Sequence, residues 1–318
     1  MADAMRGGAV LPGTVDDSPS PSNRWMGTFH YVARVVTEAI FPRQCLACGD
    51  HWTMAADRGP DSRADTPEAV LADVFQQVAH PHLCPACIRA FEPMTAPLCT
   101  CCGVMFPSRI GENHRCGTCI RHPVAYRQAR SAGVYTGGLM ALIHHLKYRA
   151  CLALKDPLAR LLQAVFAQHW PEGEVDMVLP IPLHARRWRE RGFNQAQMLV
   201  DAWAPSGGAF KRDRRQFPRA RRILVRSQPT LPQTGLGKRD RRQNIRGAFA
   251  VIAPRAVKGA HILLVDDVYT TGATADEAAR ALMRSGAACV DVLTVVRTMP
   301  RSRSQQPLTM LTAGPDHE

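Results

Sequence analysis

The 318-residue chain has no apolar run approaching the roughly 20 residues that a membrane-crossing helix needs. Its first 24 residues lack the charged-then-apolar order of a secretory signal and are rich in Gly, Pro, Ser and Asp instead. These absences predict a soluble, cytoplasmic protein with a disordered leader at 1–27 and a disordered tail at 301–318. Acidic residues are also scarce, 27 Asp/Glu against 40 Lys/Arg, leaving a formal net charge of +13. That deficit is local: residues 184–246 hold 17 Lys/Arg and four acids, which accounts for the whole excess. A segment this basic attracts phosphates, on a small ligand or along a nucleic acid. Residues 211–222 taken alone read equally well as a solvated face.

Cysteine is plentiful. With no export signal, the 11 cysteines are not expected to form a disulfide framework. Eight of them make four Cys-x-x-Cys pairs: Cys45/Cys48, Cys84/Cys87, Cys99/Cys102 and Cys116/Cys119. Each such turn sets two thiolates on one side of a tight loop, and two turns complete a tetrahedral zinc site with four cysteine ligands. Eight ligands predict two zinc ions, structural because no coordination position is left open. Sequential pairing gives a double zinc ribbon, and a cross-braced pairing stays open. Cys101 is spare, and Cys151 and Cys289 read as small core residues. Residues 55–79 are polar, acidic and Pro-containing with an apolar patch at 69–78, and read as an insertion near 55–80 between ligand loops. Tyr31, Val32, Val35, Val36, Ile40 and Phe41 recur at helical spacing, so an amphipathic helix is expected to pack on the zinc module within residues 28–125.

From Tyr126 the pattern changes to alternating strands and helices, which predicts an α/β domain over 126–300. Strands are expected at 129–135 and 175–181, and helices at 139–148 and 195–203. His144, His145 and Lys147 on the first helix could cover an anion or be plain surface. The second strand runs into an arginine-rich loop, 186–191, and then Gly192-Phe193-Asn194-Gln195, where guanidinium forks suit a pyrophosphate. The Gly- and charge-rich stretch 233–249 reads as a mobile loop that closes over phosphates, or as a merely disordered one.

The most informative stretch follows. Ile262-Leu263-Leu264-Val265 reads as a fully buried parallel strand, whose end should open onto a ligand crevice. It leads into Asp266-Asp267-Val268-Tyr269-Thr270-Thr271-Gly272-Ala273-Thr274. Two carboxylates there can accept hydrogen bonds from vicinal hydroxyls such as those of a ribose. The Thr/Gly turn supplies hydroxyls and N–H groups at the start of a helix, 275–285, which makes an anion site. Gly286 is placed to end that helix, and a last strand is expected at 288–296.

This string resembles the signature of type I phosphoribosyltransferases. Together with the cysteine pairs, Leu146-Lys147-Tyr148, Pro180-Ile181-Pro182-Leu183-His184, Arg191-Gly192-Phe193-Asn194-Gln195, Gln233, Arg241 and Asn244, it makes residues 41–297 resemble the ComF competence family. The resemblance implies an α/β fold, a type I phosphoribosyltransferase-like parallel sheet flanked by helices, preceded by a small double zinc ribbon. It implies that Asp266 and Asp267 hold the ribose hydroxyls of phosphoribosyl pyrophosphate, and that Thr270, Thr271, Gly272, Ala273 and Thr274 cradle its 5′-phosphate. Arg191 would lie on the pyrophosphate side and Arg241 on the closing loop, with magnesium accompanying the pyrophosphate. The family is linked to natural transformation and the use of external DNA.

Two functions fit. One is an enzyme that displaces pyrophosphate at the anomeric carbon, for which no residue stands out as general base. The other is a non-catalytic adaptor that binds a nucleotide or single-stranded DNA and docks a competence helicase through its zinc ribbons. The long insertion after Cys48 and the basic stretch 211–222 depart from the compact family pattern.

Overall fold

A computed structural model describes residues 43–52, 66–108, 110–203, 223–227 and 245–300. The expected leader, the 31–41 helix, the tail, and Gln233, Arg241 and Asn244 lie outside the described residues. The chain divides into two compact units, and all described residues except 43, 51 and 52 fall in the unit comprising residues 44–50 and 58–318.

The unit begins with the cysteine turns. Between the first two pairs, part of the expected insertion is the helix α1, Pro67–Ala79. Thr66 caps it by accepting the Ala69 N–H, Pro67 fits the first turn, and Glu68 complements the helix dipole. Its stripe Leu71, Phe75, Val78 is buried, with Phe75 stacked on Phe91 at 4.1 Å. The apolar patch 69–78 is therefore a packed element. Two short helices start on cysteines, α2 (Pro85–Arg89) after Cys84 and α3 (Gly117–Arg121) after Cys116.

The transferase half alternates as expected: β1 (Ala129–Val134), α4 (Gly137–Tyr148), α5 (Lys155–His169), β2 (Met177–Pro180), α6 (Ala185–Arg191), α7 (Gln195–Trp203). Then come the antiparallel pair β3 (Leu224–Arg226) and β4 (Phe249–Val251), α8 (Pro254–Val257), β5 (His261–Tyr269), α9 (Ala273–Arg284) and β6 (Cys289–Arg297). The main sheet has the order β1-β6-β5-β2 and is parallel throughout. Buried on both faces, β5 reads as the near-continuous apolar run such a position demands.

Two boundaries differ from expectation, and both shape the site. β5 does not stop at the carboxylates but runs on to Tyr269, because Asp266, Val268 and Tyr269 stay in register with Thr294, Val296 and Arg297 of β6. The arginine-rich loop contains a helix, α6: Pro182 precedes it, and Ala, Arg and Glu are good helix formers. α9 ends as expected: Gly286, at φ +93°, donates to Met283 O, and Ala287 donates to Leu282 O, the paired bonds of a Schellman cap.

The opposite end of the sheet is pinned by Asp291, which is fully buried on β6. It accepts from Arg127 Nη2 at 2.5 Å, Trp170 Nε1 at 2.6 Å and His261 Nε2 at 2.8 Å. Burial alone would raise its pKa, but these three donors outweigh it and hold the carboxyl at about 2.

Candidate functional site

The carboxyl ends of β1, β2, β5 and β6 open onto a cleft of about 260 Å³. It is lined by Asp266, Asp267 and Thr294, by the turn after Tyr269, and by Arg187, Arg191, Gln195 and Arg226. Asp266 Oδ1 accepts the Asp267 N–H at 2.9 Å, and Asp267 Oδ2 meets Lys147 Nζ at 2.8 Å. The ion pair is nearly dry, with side chains 9 % (Asp267) and 14 % (Lys147) exposed. Burial, then the neighbouring Asp267, push Asp266 up to about 7 despite Lys147. Burial opposes the charge on Lys147, yet Asp267 and Asp266 raise its pKa overall. Two adjacent carboxyl groups therefore face the cleft, one paired with lysine and the other near its midpoint at neutral pH.

The turn that follows is built for an anion. Gly272, at φ +76°, is the N-cap of α9, a left-handed conformation that disfavours any side chain. A Cβ there would collide with Tyr269 Oη, so close approach also requires glycine. Thr271 Oγ1 accepts the Ala273 N–H, and the first-turn amides of the 12-residue α9 lie beside Thr270 and Thr274 at the cleft.

Asn194 fixes the start of α7: its Nδ2 donates to Ile181 O just after β2, and its Oδ1 accepts the Ala196 N–H. That anchoring aims the next residue inward. Gln195 is 2 % exposed, lines the cleft, and its Nε2 has no protein partner among the described residues. A buried amide without a partner costs about 1–3 kcal/mol, so a ligand oxygen is its natural acceptor. Arg191 stacks over Tyr148 at 5.3 Å. Arg226 is pulled down to about 10, first by burial and then by Arg187, with Asp266 opposing. Guanidiniums crowded together against their own repulsion suit a polyanion.

The structure thus brings together Asp266, Asp267, Thr270, Gly272, Ala273, Thr274 and Arg191 around one cleft, with Thr271 in its turn. Arg241 falls outside the described residues. By spacing, Lys147 reads only as a cover for an anion or as plain surface, and Gln195 and Arg226 are not singled out as site residues. The signals were faint: a lysine on an apolar helix face, the last residue of the Arg-Gly-Phe-Asn-Gln string, and one arginine among many.

The eight paired cysteines form two clusters, Cys45/Cys48/Cys84/Cys87 and Cys99/Cys102/Cys116/Cys119, the sulfurs of each lying within 4.8 Å of one another. Pairing is sequential, which removes the cross-braced alternative. Zinc fits: a Zn–S bond of about 2.3 Å gives a tetrahedral S···S edge of about 3.8 Å, and Cys48–Cys84 and Cys102–Cys116 are each 3.8 Å apart. Backbone amides also support thiolates, Cys84 N donating to Cys45 Sγ at 3.3 Å and Cys116 N to Cys99 Sγ at 3.3 Å. Burial resists ionisation of Cys45, but such amides bring it down to about 6. The Cys102 thiol, followed by amides, brings Cys99 down to about 3.

A family model described as a phosphoribosyl transferase domain matches residues 219–308. The DNA utilization protein YhgH of Salmonella typhimurium is 34 % identical over 227 residues, covering 70 % of this chain and 93 % of the relative. Competence protein F of Haemophilus influenzae is 28 % identical over 228 residues, covering 69 % and 92 %. The chain belongs to the ComF family. Competence protein ComFC of Bacillus subtilis, 28 % identical over 221 residues, covers 68 % of this ComF chain and is itself covered over 84 %. As the family pattern requires, the parallel-sheet transferase domain follows two four-cysteine centres. Among the described residues no helix is long and apolar enough to cross a membrane.

Proposed function

We propose that this ComF chain binds phosphoribosyl pyrophosphate in the cleft and acts in natural transformation and the use of external DNA. The observation that carries the reading is that the Asp266–Asp267 pair, the Gly272 turn, and Arg187, Arg191, Gln195 and Arg226 all line one cleft. The free oxygens of the carboxylates accept the ribose hydroxyls, the residues 270–274 cradle the 5′-phosphate, and Arg187, Arg191 and Arg226 neutralise the pyrophosphate. Magnesium would be held by pyrophosphate oxygens and water beside the carboxylates and supplies charge neutralisation.

As an enzyme the protein would work by positioning and charge stabilisation. Lys147 holds the Asp267 carboxylate near the anomeric carbon where positive charge grows, the arginines hold the departing pyrophosphate, and Asp266 can pass a proton near neutral pH. Its eight thiols would serve as zinc ligands in a reducing cytoplasm.

The second reading is an adaptor for single-stranded DNA or a nucleotide that docks a helicase through the zinc ribbons. It is favoured by Tyr148, which lines the cleft beneath Arg191 and is 65 % exposed, and by Trp188 of α6, 54 % exposed, two aromatic faces on which bases could stack. A strain carrying Asp266→Asn with Asp267→Asn separates the two. Loss of transformation by linear DNA supports the donor site. Normal transformation, with single-strand binding that falls steeply with salt and is lost when Arg187, Arg189 and Arg191 are neutralised, supports the adaptor.

A further inference from the structure

Arg297 ends β6 and is 6 % exposed. No carboxylate pairs with it among the described residues. Its Nη1 donates to Cys102 O, its Nη2 lies 3.4 Å from Cys102 Sγ, and its Nε has no partner. A buried guanidinium without a counter-ion is costly. A zinc-bound tetrathiolate at Cys99, Cys102, Cys116 and Cys119 would carry two net negative charges and would balance it. Hydrogen bonds onto ligating sulfur are the usual means by which surrounding residues tune such a centre.

The other side of the guanidinium stacks on the ring of Tyr269, 4.2 Å from its centroid. Tyr269 is 5 % exposed, bonds Tyr126 Oη at 2.5 Å, and its carbonyl accepts the Thr298 N–H. Its hydroxyl occupies the space a Cβ on Gly272 would take. The tyrosine thus sits under the turn 270–274 and leads directly into it. The contacts run unbroken from Cys102 through Arg297 and Tyr269 to Gly272.

We propose that Arg297 couples the second four-cysteine centre to the phosphate turn, so that zinc bound there holds residues 270–274 in their binding shape. Arg297 is a positioning residue: it touches neither substrate nor reacting atoms. Loss of this zinc leaves the guanidinium without its counter-ion, frees it from Cys102, and loosens the tyrosine that fixes Gly272. The consequence for donor binding rests on the function proposed above, but the coupling itself does not.

The test uses the full-length, zinc-loaded chain and two readouts, zinc release to a chromogenic chelator and amide exchange of residues 270–274 relative to 262–265. Arg297→Met should release one of two zinc ions at least tenfold faster and exchange the turn at least tenfold faster, with the strand still protected. Cys116→Ser, which removes a ligand that Arg297 does not touch, should accelerate the turn equally. If Arg297→Met does not fold, removal of the second zinc from the wild-type chain by chelator gives the same comparison. Unchanged turn exchange after loss of that zinc overturns the proposal. So does faster turn exchange in Arg297→Met with unaltered zinc release, which reduces Arg297 to packing. Magnesium–phosphoribosyl pyrophosphate affinity should fall about tenfold in Cys116→Ser. Absence of donor binding by the wild type would sink the donor reading and leave the exchange result to decide the coupling.

Discussion

Replacing Lys147 by Met should destabilise the protein in a way that depends on pH. The ammonium lies 2.8 Å from Asp267 Oδ2, and both side chains are mostly out of water. At an effective dielectric of about 20 the attraction is about 6 kcal/mol before the desolvation of lysine is subtracted. Removing one partner of a buried pair typically costs about 3–5 kcal/mol, because the other charge is stranded. Here two carboxylates would be stranded, and they can escape only by taking up protons. In the wild type, Asp266 is already raised from 3.8 to about 7. A carboxyl raised on folding binds more protons in the folded state, so its contribution is full below 3.8 and is lost as pH rises through about 7. Without Lys147, which lowers Asp266, the Asp266 carboxyl is raised further and the loss deepens at alkaline pH. Thermal melts at pH 5.5 and 8.5 should show a small deficit at the lower pH and roughly 10 °C at the higher, using about 2–4 °C per kcal/mol for a domain of this size. An equal deficit at both values, or none, would refute the reasoning.

Gln195→Leu should leave the melting temperature unchanged or raise it, since an unpartnered buried amide is removed, while weakening phosphoribosyl pyrophosphate at least tenfold by calorimetry. Gly272→Ala should cost about 1–2 kcal/mol for the left-handed conformation alone, and should abolish donor binding because Tyr269 must move; denaturant melts and titration check the two effects. Asp291→Asn should destabilise by about 1–3 kcal/mol at pH 7, because the buried donors Trp170 Nε1 and His261 Nε2 lose a charged acceptor while Arg127 keeps Glu174. Because its pKa is lowered to about 2, the wild-type carboxylate's contribution is present above 3.8 and disappears as pH falls through 2, so acid titration of the two proteins should converge there.

Local signals carried the architecture well. Residues 262–265 could be read as a buried strand because four consecutive apolar residues suit a position covered on both faces. Gly286 could be read as a helix stop because a left-handed residue is needed there. The continuation of β5 through Asp266 and Asp267 was hidden, since local composition places acids at strand ends and only the register with Thr294 and Arg297 keeps them in the sheet. α1 was more legible than the insertion reading allowed: Thr66, Pro67 and Glu68 start it, and Leu71, Phe75 and Val78 repeat at helical spacing.

At the site, the motif residues announced themselves and their supports did not. Lys147 meets Asp267 across 120 positions of sequence, and Arg297 meets Cys102 across 195. Such pairings exist only once helix and sheet have packed. The same holds for Gln195, whose burial follows from the bond between Asn194 and Ile181 O rather than from its own surroundings in the chain.

The most direct measurement is a calorimetric titration of the zinc-loaded full chain with phosphoribosyl pyrophosphate and magnesium, beside the Asp266→Asn/Asp267→Asn variant. One molecule bound per chain in the micromolar range or tighter, weakened at least a hundredfold in the variant, is the expected result. Absent binding, or equal binding by both proteins, would contradict the assignment of the cleft.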